Sequence, residues 1–114
     1  YVFAVRCLPN PYWEPTLRKL DGRDAAVEAW LQRSPEVQRM LVDIRQFLEH
    51  WLPDYRKQDR AYLTIAIGCT GGQHRSVYLV EQLADFFRER LDHLIVTHRE
   101  LWSGQDRRAS KGGA

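Results

Sequence analysis

The chain has 114 residues, 44% of them hydrophobic and 28% charged, a composition that fits one globular domain with a single core. No apolar run approaches the ~20 residues of a membrane span and no signal peptide opens the sequence, so neither a membrane nor a secreted role is expected. Of the 17 basic and 15 acidic residues, three basic and one acidic lie in the tail GQDRRASKGGA, so the residues before it balance and the net +2 belongs to the tail.

In chain order, the first apolar segment is YVFAVRCL (1–8), read as a strand. It is apolar on both faces, as in a parallel strand covered on two sides. The chain opens with this strand already under way, so it is expected to be a piece of a longer protein. LPNPYWEPTLRKLDGRD follows, with three prolines and a glycine, and reads as irregular loop. A first helix is expected over Arg23–Arg33. The second is the clearest element. Ser34 offers an N-cap, Pro35 sits at the first helical position and Glu36 favours the positive end of the dipole. Val37, Met40, Leu41, Ile44, Phe47, Leu48, Trp51 and Leu52 then recur on one face until Pro53, where the helix is expected to stop.

YLTIAIGC (62–69) reads as a second two-sided strand, a third helix begins near Arg75, and HLIVTH (93–98) reads as a third, shorter strand. Trp30 and Trp51 are expected in the core, Trp13 packed against the domain, and His50 and His93 on the surface. The pattern predicts a single α/β domain over 1–102, a small, mostly parallel sheet flanked by helices, and a basic tail over 103–114 expected to be disordered. Two cysteines, Cys7 and Cys69, are too few for a disulfide framework and point to a reducing compartment, the cytoplasm by default. No Cys/His spacing suggests a metal site.

The junction GCTGGQHRS (68–76) carries the chemistry. It lies where a strand feeds a helix, the place where open parallel sheets bind ligands. Gly71 and Gly72 permit positive φ and close approach of backbone N–H groups to an anion. The helix start adds unbonded donors, Thr70 and Ser76 add hydroxyls, Arg75 a planar fork and His74 a donor near neutral pH. These features favour a phosphate. A nucleotide P-loop requires Gly-Lys-Ser/Thr, and the lysine is missing. Cys69-x5-Arg75-Ser76 matches the spacing of a cysteine-dependent phosphatase, with Cys69 as nucleophile and Arg75 as clamp. Gly68 stands where that family has histidine, and no acid stands out as the leaving-group acid, although Asp54 and Asp59 sit in a loop that could approach.

The long motif GCTGGQHRSVYLVEQLADFFRER, with YVFAVRCLPNPYW and LPDYRKQDRAYLTIAIG upstream, resembles the carboxy-terminal domain of the RapZ family of RNase adapters over roughly residues 1–100. In that family a P-loop NTPase domain precedes this one, and its Walker motif is missing here. The resemblance implies a phosphofructokinase-like α/β fold that is non-catalytic, needs no cofactor in this domain, and binds glucosamine-6-phosphate and small regulatory RNA. It implies presentation of that RNA to an RNase E-like nuclease. By motif, Cys69, Thr70, Gly71, His74 and Arg75 would hold the sugar phosphate, with Asn10 and Tyr12 of LPNPYW closing part of the pocket and His98-Arg99 beside it. FAVR replaces the common FDVR, so Ala4 lacks a carboxylate for the sugar, and Tyr12 stands where some members carry histidine. Both departures leave the sugar open. Candidate RNA contacts are Arg88, Arg90, Arg99, Arg107, Arg108 and Lys111. With the chain before the tail charge-balanced, duplex binding calls for a local cluster or several copies, so a homo-oligomer is expected.

Overall fold

A computed structural model describes residues 1–58 and 62–101. Its elements are β1 (Val2–Ala4), α1 (Ala25–Gln32), α2 (Pro35–Arg56), β2 (Ala66–Gly68) and α3 (Arg75–Phe87), with 3-10 turns at Pro11–Trp13 and Arg99–Leu101. This is an α/β domain. The two strands pair in parallel, Val2 with Ala66, Phe3 with Ile67 and Ala4 with Gly68, and the helical crossover between them supplies α1 and α2.

The start of α2 follows its sequence signals closely. The Val37 N–H donates to Ser34 Oγ at 3.3 Å, and the Ser34 hydroxyl donates to Glu36 at 3.1 Å, so the cap satisfies one of the orphan donors of the first turn. Val37, Ile44 and Leu48 are buried on one face, against Leu79, Leu83 and Phe87 of α3 and Val27 and Leu31 of α1 in a single apolar cluster. The helix does not stop at Pro53. It continues one further turn to Arg56, although Pro53 brings no N–H for the Glu49 carbonyl. Tertiary contacts account for the extension: the Tyr55 hydroxyl lies 3.0 Å from that of Tyr1, and the two rings meet edge to face at 5.9 Å. Tyr1 in turn packs edge-on to Phe47 at 4.9 Å.

The expectation of a third strand over 93–98 is not met. Those residues form no ladder with β1 or β2, and Ile95 is 84% exposed. An apolar run specifies a strand only when a neighbouring edge takes up its backbone groups, and here none does. The two strands are also shorter than their apolar runs and are covered on one face rather than two. Phe3 and Ile67 face the helices, Phe3 meeting Phe47 at 5.7 Å. Val2, Ala4, Ala66 and Gly68 occupy the opposite, exposed face, Val2 at 81%, and Tyr62 is exposed at 84%. Trp30 packs against the core as expected, but Trp51 lies on the exposed side of α2 and Trp13 is largely exposed rather than packed on the domain. No helix among the described residues is long and apolar enough to cross a membrane.

Candidate functional site

Because the strands are parallel, both deliver their carboxyl ends to the same edge. The chain leaves β1 through Val5, whose N–H donates to the Gly68 carbonyl at 2.8 Å, and leaves β2 directly into the glycine pair and α3. Gly71 and Gly72 have φ of +81° and +61°, left-handed values that cost a residue with a Cβ roughly 1–2 kcal/mol. A Cβ at Gly68 or Gly71 would meet nothing within 4 Å, so the loop borders open space on that side.

Arg75, the first residue of α3, is 4% exposed. Its Nη1 donates to the carbonyls of Arg6 at 2.8 Å and Leu8 at 3.0 Å, tying the exit of β1 to the start of the helix that follows β2. The Nε is buried without a hydrogen-bond partner, and none of the ion pairs found among the described residues involves Arg75. A guanidinium taken out of water without a carboxylate costs several kcal/mol, which an incoming anion would offset. The helix start reinforces this polarity. His74 makes no side-chain cap, and the Ser76 N–H is directed at Cys69 Sγ, 3.4 Å away.

The remaining predicted site residues divide by what they touch. Cys69 is half-buried and Ser76 buried at the helix start, whereas Thr70 and Gly71 are exposed at the mouth of the loop. His74 is turned away from the mouth: it is 4% exposed, with Nε2 3.0 Å from the Leu17 carbonyl. Gln73 does the same work beside it, its Nε2 donating to the carbonyls of Arg18 at 2.9 Å and Leu20 at 2.7 Å. These bonds, with Gly22 N–H to the Gln73 carbonyl at 2.9 Å, fasten the proline-rich segment to the glycine loop. Asn10 caps the first 3-10 turn, its Oδ1 accepting from the Tyr12 N–H at 3.1 Å. Tyr12 is exposed, with the Arg18 guanidinium 4.8 Å from its ring centre.

The chain matches the family model for the RapZ C-terminal domain over residues 1–102. It belongs to the RapZ C-terminal domain family. Among its relatives, a nucleotide-binding protein of Chromohalobacter salexigens is 57% identical over 100 residues, and one of Janthinobacterium sp. is 60% identical over 100 residues; each match covers 88% of this chain and 34% of the relative. A third, from Alkalilimnicola ehrlichii, is 56% identical over 101 residues, covering 89% of this chain and 35% of its own length. The chain thus spans about a third of the curated relatives it matches.

The RapZ-type domain carries its candidate RNA contacts away from this loop, in part. Arg88 pairs with Asp85 at 2.6 Å on exposed surface. Arg90 lies 3.9 Å over the Phe86 ring and donates to the Phe86 carbonyl at 2.7 Å, and Arg45 of α2 comes within 5.0 Å of the same ring. Arg45 was not anticipated from sequence, because only the packing of α2 on α3 brings it beside Arg90. Arg99 is exposed, next in sequence to Glu100, whose side chain lies against Gly72. Arg107, Arg108 and Lys111 lie outside the described residues. The fastening role of Gln73 and the contact of Glu100 with Gly72 were not anticipated either, because both depend on partners remote in sequence.

Proposed function

We propose that this RapZ-type domain is a non-catalytic sensor that binds a sugar phosphate at residues 69–76. Glucosamine-6-phosphate is the candidate that the family resemblance favours. The observation that carries the reading is Arg75: a buried guanidinium with an unpartnered Nε, at the carboxyl edge of a parallel sheet, beside two left-handed glycines. A phosphate there would complete the hydrogen bonding of the fork and take its charge. On this reading the domain also binds small regulatory RNA through its surface arginines and presents it to an RNase E-like nuclease, in the cytoplasm, as an oligomer. The relatives are named nucleotide-binding proteins, and they are about three times as long; the loop of this chain lacks the P-loop lysine, which argues against assigning that property to it.

The alternative, a phosphatase with Cys69 as nucleophile, is less well supported. Gly68 stands where that family has histidine, and Asp54 sits on the exposed last turn of α2. Isothermal titration with glucosamine-6-phosphate tests the sensor. Arg75→Ala should weaken binding by about 2–4 kcal/mol, and Arg75→Lys, which keeps the charge but not the fork, by less. Unchanged affinity in both variants, with folding verified by circular dichroism, would displace the site. The wild-type chain should release no phosphate from an aryl phosphate; turnover abolished by Cys69→Ser would favour the phosphatase.

A further inference from the structure

The two glycines of the loop differ in what stands over them. A Cβ at Gly71 would meet nothing within 4 Å, whereas one at Gly72 would lie 2.6 Å from Glu100 Cγ, 3.3 Å from its Cβ and 3.8 Å from its carboxyl carbon. The Glu100 side chain therefore covers the Gly72 side of the loop. No hydrogen bond or ion pair among the described residues ties its carboxylate down, and it does not pair with Arg75, whose Nη1 is directed at the carbonyls of Arg6 and Leu8. The backbone that carries Glu100 is held instead. His98, two residues earlier, is 5% exposed between the exposed Thr97 and Arg99, and its Nε2 lies 2.6 Å from Oε2 of Glu81 in α3. Residues 93–98 pair with neither strand, so the Arg99–Leu101 turn that follows is placed by side-chain contact rather than by a ladder.

A carboxylate without a counter-charge at the rim repels an anion entering the loop, and at a few ångströms the repulsion is felt even through water. The loop itself favours an anion, through its left-handed glycines, the helix start and the unpartnered Nε of Arg75. The two tendencies oppose each other across Gly72. We propose that Glu100 is an autoinhibitory gate on the loop at 69–76, and that Glu81 and His98 are the positioning residues that latch it there. An arriving anion has to push the Glu100 arm aside, and the latch on α3, the helix that begins with Arg75, limits how far the arm yields. The proposal rests on the loop being an anion site. It concerns what opposes entry, a threshold common to every anion, and not which anion is finally held.

Titration of the 114-residue chain with inorganic phosphate and with sulfate tests it, alongside Glu100→Gln, His98→Ala, His98→Gln and the double variant Glu100→Gln/His98→Ala. Glu100→Gln, on exposed surface, should tighten both anions by about fivefold, and by less as salt is raised. His98→Ala, with folding verified by circular dichroism, should tighten them by about two- to threefold and add nothing to Glu100→Gln. His98→Gln, whose amide can still donate to Glu81, should restore the wild-type affinity. A histidine with a merely structural role would not tighten binding when removed. Unchanged or weaker binding in Glu100→Gln overturns the gate. Weaker binding in His98→Ala, or effects that add in the double variant, overturn the latch. Those outcomes leave the anion site standing, whereas binding of neither anion to the wild type or to Glu100→Gln overturns the site and this proposal together.

Discussion

At the scale of single residues, three glycines meet different obstacles, and their alanine variants should separate accordingly. Gly71 borders open space, so Gly71→Ala carries only the left-handed backbone strain of roughly 1–2 kcal/mol. Gly72→Ala adds a collision with the Glu100 arm, which is flexible and can swing aside. Its stability cost should be similar. At Gly22 a Cβ would lie 2.4 Å from both the His74 carbonyl oxygen and the Tyr78 nitrogen, backbone atoms that cannot yield without moving α3. Gly22→Ala should therefore be the most destabilising of the three, at or beyond the upper end of about 1–3 kcal/mol. Urea midpoints rank them; Gly22→Ala at wild-type stability would contradict the packing described.

At the scale of elements, the cap of α2 makes stability depend on pH. The backbone N–H of Glu36 and then the Ser34 hydroxyl hold the Glu36 carboxyl below its ordinary range. A folded-state value below the unfolded one gives stabilisation that is complete above the unfolded value and is lost as pH falls through the folded one. Glu36→Gln should reduce the loss of stability between neutral pH and about pH 3 by a small, measurable amount in thermal melts, because the carboxyl is exposed. An unaltered pH profile would show that the Glu36 carboxyl does not contribute. This cap was legible in Ser-Pro-Glu because its partners are local. So were the glycine turn and the placement of Arg75 at the helix start. What the sequence withheld depends on remote partners: the carbonyls of Arg6 and Leu8 taken by Arg75, the turn after Pro53 held by Tyr1, and the failure of 93–98 to pair with either strand. His74 was read as a ligand by type and proximity, and only the fold shows its ring against Leu17.

At the scale of the whole molecule, the surface arginines set the expectation for RNA. Arg90 and Arg45 meet over Phe86, with Arg88 two residues before Arg90, and RNA contacts of this kind would follow the phosphates and shape of a structured RNA rather than its sequence. Binding to a hairpin RNA should weaken steeply with salt, and Arg90→Ala should lower the slope of log K against log salt by roughly one. A gel-shift series with and without residues 104–114 separates this cluster from the tail arginines. Salt-insensitive binding, or none at low salt, would leave only the phosphosugar role.

The parallel pairing of Val2–Ala4 with Ala66–Gly68 has a kinetic consequence. Its partners are more than sixty positions apart, whereas α1 and α2 are closed by local bonds. Contacts so distant in sequence are costly to close and tend to form late. The loop at 69–76 is completed only when that closure brings Arg75 to the carbonyls of Arg6 and Leu8. Residues 69–76 should thus acquire their geometry after the folding barrier has been crossed. A phosphate ester bound there would then hold the native state chiefly by retarding its escape, with little effect on how fast the chain first collapses.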